Sequence, residues 1–232
     1  MGDPVKLRAI QADELPSTAD LVFRELYERV VGLALPPGTK ISEVDVANQM
    51  DVSRQPVRDA FYRLSTLGFL IIRPQRATTV APISVRQVEQ ARFIRTAIEL
   101  ETIRLAGERA TERDFATLED NLSLQREAVQ CGDKRKFQAL DDHFHQLLCE
   151  MAGQHHVWTL IQEKKAHMDR VRFLSLDDGA ETALNDHVEI LTALRSRDLE
   201  RAAAAVRLHL SRITEMVERL RGIDGQLLVE DI

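Results

Sequence analysis

From Ile83 to Ile232 this chain has no proline; all seven of its prolines lie at or before Pro82. That stretch also lacks the apolar-polar alternation of a strand, so nothing local interrupts helices there. Cysteine is scarce. Cys131 and Cys149 are the only two, and they have no C-x-x-C spacing. This excludes a disulfide framework or a cysteine-rich zinc knuckle and fits a reducing compartment. No apolar run approaches the roughly 18 residues that span a bilayer. No apolar run follows the first charges either, so no secretory leader is expected. The expectation is a cytoplasmic protein without a membrane partner. Net positive charge is missing too: the formal value is −6.

What is present is unevenly placed. The apolar fraction of 44% over 232 residues is enough for one large domain or two small ones, each with a core. Between Val52 and Pro82, five arginines (54, 58, 63, 73 and 76) stand against Asp59, a local balance of about +4 that leaves about −10 elsewhere. Salt screens charges beyond roughly 10 Å, so the local balance governs attraction to phosphates.

Residues 41–81 organise the chain. Val44, Val46, Ala47 and Met50 have helical spacing, and Asp51-Val52 breaks it. Ser53 is placed to cap a second helix, with Pro56 in its first turn, where a missing N–H costs little. That helix puts Val57, Ala60, Phe61, Leu64 and Leu67 on one face and Arg54, Gln55, Arg58 and Tyr62 on the other. Arginine can fork onto guanine and glutamine can pair with adenine, as a major-groove reader requires. Gly68 ends the helix. Phe69-Leu70-Ile71-Ile72 and Thr78-Thr79-Val80 read as two strands joined by a basic tip, Arg73-Pro74-Gln75-Arg76-Ala77, suited to phosphates or the minor groove. This pattern predicts a winged helix-turn-helix. A supporting helix opens at Ser17-Thr18-Ala19-Asp20 and closes at Leu35-Pro36-Pro37-Gly38.

Leu35-Pro36-Pro37-Gly38-Thr39-Lys40-Ile41, then Val52 to Ala60, then Leu64 to Leu70 resemble the GntR family of bacterial transcription regulators. The resemblance implies that Ser53, Arg54, Gln55 and Arg58 meet operator DNA, with Arg73 and Arg76 at the wing. Two positions depart from the family pattern. Ala77 stands where many relatives have a wing-tip glycine, a residue that tolerates positive φ. Val44 stands where relatives of the FadR type carry an operator-contacting arginine, which implies that this contact is absent.

Beyond Pro82, six helices are expected, over about 84–107, 111–130, 134–151, 155–176, 181–195 and 198–221, with Asp177-Asp178-Gly179 separating the fourth from the fifth. The fold class is then mainly α: an N-terminal winged helix-turn-helix with a small β wing, plus a C-terminal antiparallel bundle of six or seven helices. The boundaries are 1–16 for an arm, 17–82 for the winged module, 83–223 for the bundle and 224–232 for a fraying tail. The layout resembles the FCD-type domain of the FadR subfamily, and a count of six helices its VanR-like branch.

The most chemically loaded stretch is Asp141-Asp142-His143-Phe144-His145. Asp141 and His145, four apart, share a helix face. His187 and His209 each lie about ten residues from a turn at Arg197, so antiparallel neighbours bring them to similar heights. Imidazole with carboxylate suits a divalent metal, zinc first, with nickel, manganese or iron as alternatives. Many FCD proteins carry D-x-x-F-H, E/D-H and H-L as metal ligands, and Asp141, His145, His187 and His209 match. His143, His155, His156 and His167 do not match and are read as surface or linker residues. Arg95, where relatives turn an arginine to the pocket, and Arg172 are candidates for gripping a small carboxylate effector. The resemblance implies a homodimeric, ligand-responsive regulator of double-stranded operator DNA, by family habit a repressor. Two other classes stay open: a metal-dependent enzyme using the Asp/His set, and an architectural DNA binder with no effector.

Overall fold

The computed structural model describes residues 16–223 and 225–230. The expected N-terminal arm, apart from Pro16, lies outside the described residues.

Helix α1 (Thr18–Val31) starts at Ser17, whose hydroxyl accepts from the Asp20 amide while the Asp20 carboxylate answers the Ser17 amide, a reciprocal cap. Strand β1 (Lys40–Ile41), helices α2 (Glu43–Gln49) and α3 (Arg54–Thr66), and strands β2 (Leu70–Ile71) and β3 (Thr78–Val80) complete the winged module. The wing has three strands rather than two. β3 lies centrally, antiparallel to both neighbours, with Ile41 opposite Thr78 and Leu70 opposite Val80. A two-residue strand offers too little alternation to be read from sequence, which is why β1 escaped notice. Val57, Ala60, Phe61 and Leu64 of α3 are buried against Val22, Leu26 and Val30 of α1. Leu67 is largely exposed, so the apolar face of α3 stops at Leu64. Gly68 has φ +79°, the left-handed conformation that lets the chain turn from α3 into β2.

The remainder is α4 (Val85–Arg109), α5 (Glu112–Gln130), α6 (Lys134–Met151), α7 (His155–Arg195) and α8 (Leu199–Ile223). Caps stand where side-chain chemistry places them: Ser84 on α4, Thr111 with Asp114 on α5, Asp133 on α6 and Asp198 on α8. The expected break at residues 177–179 is absent. One helix runs through it, so the bundle has five helices where six were expected. A lone glycine costs a helix only about 1 kcal/mol, which packing offsets. Gly179 serves packing instead: a Cβ there would sit 3.1 Å from the Met216 methyl of α8.

The tail is also ordered differently from expectation. After a 3-10 turn (Gly225–Leu227), β5 (Leu228–Val229) pairs in parallel with β4 (Ile83–Ser84), the segment leading from the wing into α4. Arg221 also reaches Glu230 in the tail at 2.8 Å.

Residues 165–172 of α7 are buried without interruption. A helix enclosed on every side lies between packed layers rather than on a surface. Ala166 joins the core of the winged module, and the His167 ring stacks on Phe69 at 4.5 Å with its Nε2 3.1 Å from the Leu67 carbonyl. Arg170 donates to the carbonyls of Ala81 and Pro82 at 2.7 and 3.4 Å. His167, read from sequence as a surface or linker residue, is therefore part of the joint between module and bundle. No described helix is long and apolar enough to cross a membrane.

Candidate metal centre and nucleic-acid interface

The outer face of α3 carries Arg54, Gln55, Arg58 and Tyr62, all exposed, Tyr62 at 72%. None is committed to a strong internal contact. Glu43 at the start of α2 lies 3.4 Å from Arg58 and 3.8 Å from Arg54, and Gln55 donates to Asp59 at 2.9 Å. Exposed pairs of this kind contribute little and exchange readily for other anions. Ser53 occupies the N-cap position, but its hydroxyl makes no capping bond, contrary to expectation. Val44 is exposed on the first helix of the motif. Arg63, counted in the local positive excess, turns away to Asp20 at 2.8 Å and covers the Phe23 ring. The wing tip presents Arg73 and Arg76 to solvent. Its positive-φ residue is Gln75, at 59°, and Ala77 is not among the positive-φ positions, so the missing glycine carries no backbone strain there.

The second constellation is buried in the bundle. Asp141 and His145 come from α6, His187 from α7 and His209 from α8, and one ligand atom of each lies within 4.8 Å of all the others. His145 Nε2 and His209 Nε2 are 3.1 Å apart, and His187 Nε2 is 3.5 Å from Asp141 Oδ1. Each imidazole has an oxygen near its other nitrogen, hydrogen-bonded at His187 and only neighbouring at His145 and His209. Glu99 of α4 lies 2.7 Å from His145 Nδ1, Gln125 of α5 is 2.9 Å from His187 Nδ1, and Asp186 is 3.6 Å from His209 Nδ1. Gln125 is itself oriented by donating its amide to Asn121 at 2.7 Å, which turns its oxygen to His187. Oxygens behind Nδ1 favour the Nδ1–H tautomer and leave the Nε2 lone pairs aimed inward.

Electrostatics fit that arrangement. Burial pushes the His187 and His209 imidazoles below their ordinary value, which favours the neutral, ligating form. For Asp141, burial acts upward, but Arg172 and the three imidazoles outweigh it and hold the carboxyl well below the usual range. Two neutral imidazole lone pairs facing each other at 3.1 Å repel unless a cation or proton lies between them. Three nitrogens and one carboxylate suit a borderline divalent ion. Donors each about 2.1 Å from such an ion lie at most about 4.2 Å apart, so modest contraction of the cluster accommodates it.

Both candidate arginines adjoin the cluster. Arg172 of α7 pairs directly with Asp141 Oδ1. Arg95 of α4 is buried with its Nε donating to Glu99 at 2.6 Å. A cavity beside the cluster is lined by Arg95, Arg172, Ser175, His209 and Arg212, with Met168 and Met216 among its apolar walls. His143, His155 and His156 are exposed, as expected. Glu99, Gln125 and Asp186 are the residues that the sequence reading did not single out. Ile94 and Ile98 are only half-buried, while Arg95 and Glu99, each the next residue along, are buried. The available signal was a helix whose inward positions read Arg and Glu at i,i+4. Gln125 gave the same signal on α5, one turn after Asn121.

Two family descriptions match the chain: "Bacterial regulatory proteins, gntR family" over residues 18–80, and "FCD domain" over residues 90–212. The HTH-type transcriptional repressor RspR of Escherichia coli K12 is 41% identical over 202 residues, which is 86% of this chain and 89% of that one. An uncharacterised HTH-type regulator, YdfH, of another Escherichia coli strain is 39% identical, covering 91% of this chain and 93% of its own. Among solved structures, E. coli McbR/YncC superposes with a TM-score of 0.72 at 22% identity, covering 88% of this chain and 99% of its own. A GntR-type regulator from Rhodococcus sp. RHA1 gives 0.69 at 20% identity over 86% of this chain and 97% of its own. These two likenesses show the fold. The matched families and relatives are regulators of transcription, not enzymes.

Proposed function

This chain belongs to the GntR family of bacterial regulatory proteins and carries an FCD domain, and we propose that it is a cytoplasmic, metabolite-responsive repressor that binds operator DNA as a homodimer. Two copies of α3 then enter successive major grooves of a near-palindromic site. Arg54, Gln55 and Arg58 face base edges. Ser53, Arg73 and Arg76 meet the backbone or the minor groove.

The FCD domain senses a small carboxylate through a divalent metal, zinc first, held by Asp141, His145, His187 and His209. The observation that carries this reading is the convergence of three Nε2 atoms with the Asp141 carboxylate, each imidazole having an oxygen near its Nδ1. A bound ion supplies a positive charge with open positions for a carboxylate oxygen. The chain supplies the rest. Glu99, Gln125 and Asp186 hold the imidazoles in register, Arg95 and Arg172 offer positive charge in the cavity, and Met168 and Met216 exclude water beside it. Signalling requires the effector to favour one pose of the winged modules over another. Helix α7 is the physical link, since Arg172 at the cluster and Arg170 at the wing exit are two residues apart.

The test is thermal melting of the full chain against a panel of small carboxylic acids, before and after metal stripping. An acid that binds only the folded state at 100 times its Kd adds about 2.7 kcal/mol. A rise with one acid class that disappears on stripping is the expected result. No shift in either state removes the metal-acid sensor and leaves the DNA-binding role intact.

A further inference from the structure

Arg172 is a cavity arginine that pairs directly with a proposed metal ligand. It pairs with Asp141 Oδ1, the same oxygen that lies 3.5 Å from His187 Nε2 and thus on the inward side of the cluster. Its other terminal nitrogen, Nη1, is buried without a hydrogen-bond partner. Ser175, one turn further along α7, also lines the cavity, and its Oγ is buried without a partner. Arg95, the neighbouring guanidinium, is engaged by Glu99 through its Nε. The cavity therefore holds a half-used arginine fork and an unused hydroxyl on one face of one helix.

We infer that Arg172 is a displaceable counter-ion, which neutralises Asp141 while no metal is bound and swings to the carboxylate of the effector once a metal has taken Asp141. The inference rests on the metal-acid sensor proposed above and adds its order of assembly. A dication and a guanidinium repel, so a metal on Asp141 weakens the hold of Arg172 on the same carboxylate. Leaving Asp141 strands a buried guanidinium, which is costly unless another anion receives it. An incoming carboxylate meets that need, because its two oxygens match the planar fork. The Ser175 hydroxyl then stands beside the same anion, which favours an acid with a polar substituent near its carboxylate. The metal in this way prepares the receptor for the acid, and in the metal-free protein the acid must compete with Asp141 for Arg172.

This makes two predictions, one for each partner of the pair, measured on the full chain after chelator stripping. Arg172→Met removes the competitor, so Zn²⁺ affinity by chelator competition at pH 8 rises by about tenfold or more over wild type. Asp141→Asn frees the fork, so the metal-free variant responds to acetate, in melting titrations against matched chloride, at about one tenth of the concentration that metal-free wild type needs. A residue that merely orients Asp141 gives the reverse for Zn²⁺, because its loss loosens the ligand. Zn²⁺ affinity unchanged or weaker in Arg172→Met overturns the inference, and so does an unchanged acetate response in Asp141→Asn. If Arg172→Met loses its helical circular dichroism, the near-isosteric Asp141→Asn arm decides alone. A wild type that takes up no Zn²⁺ is a separate failure: it defeats the metal reading of the cluster, while the acetate arm, run without metal, still reports on the Arg172 fork.

Discussion

The exposed basic face of α3 and the cluster inside the bundle are both built from side chains on helices, but they are assembled in different ways. The first takes Arg54, Gln55 and Arg58 from little more than one turn of one helix, exposed and loosely paired with Glu43 and Asp59. The second takes four donors from three helices, seals them from water, and sets an oxygen near each imidazole. An exposed site can be read residue by residue, because each group acts nearly alone in water. A buried site acts as a unit, since removing one member strands the others in a medium of low dielectric.

Substitutions should separate the two regions by magnitude. The largest effect is expected inside. His187→Ala removes a donor at the centre of the cluster, so metal affinity should fall by more than about 100-fold, given that even an outer partner is worth about 10–100-fold. Chelator competition followed by elemental analysis of the dialysed protein measures it. Retained stoichiometric metal would mean that His187 is not a ligand. Gln125→Leu leaves all four donors in the sequence. It removes the oxygen behind His187 Nδ1, so the ring loses its fixed tautomer, and an affinity loss of about 10–100-fold is expected in the same assay. Unchanged affinity would make Gln125 a packing residue and weaken the view that the backing oxygens matter.

That contrast also governs what could be read from the chain. The winged module was legible because its signals are local: a cap at Ser17, a glycine at Gly68 and a basic face repeating every four residues on α3. The four donors of the cluster could be nominated because Asp141 and His145 share one turn and the two other histidines flank a loop. Three features escaped for physical reasons. Gly179 looks like a break, yet it is a point of close approach between α7 and α8, which no neighbouring residue encodes. Strand β5 has two residues and exists only because β4 is there to pair with it. Glu99 and Gln125 sit at inward positions that apolar periodicity assigns to hydrophobic residues, and their use emerges only when α4 and α5 face α6 and α7.

At the exposed face the expected losses are smaller and differ in kind. Arg54→Ala should cost about 1–3 kcal/mol on operator DNA and relax base preference at one position of each half-site. Arg76→Ala should weaken binding to all sequences alike and reduce the salt slope by about one unit. Titrations against operator and random duplex at several salt concentrations distinguish the two. Equal losses for Arg54→Ala on both duplexes would move it from the reading face to the phosphate backbone. Neither change should alter metal content, because no described contact joins these residues to the cluster.

The smallest effect compares the two cysteines, one in each kind of environment. Cys131 ends α5 in solvent, whereas Cys149 is buried on α6, one turn past His145 and packed with Trp158 and Ile161. Burial pushes the Cys149 thiol up to about 12, with the Glu99 charge adding in the same direction. The reactive species is the thiolate, so at pH 8 only about one Cys149 in ten thousand is poised to react even when reached. Iodoacetamide should therefore modify Cys131 quickly and Cys149 only through openings of α6, which peptide mass spectrometry can follow site by site. Those openings also pull His145 and Asp141 from the cluster. Added zinc should then slow Cys149 labelling several-fold while leaving Cys131 unchanged, because an ion that binds only the closed form raises the free energy of opening. If zinc slows neither thiol, the part of α6 that carries Cys149 opens without disturbing the cluster, and the buried region is less of a single unit than its geometry implies.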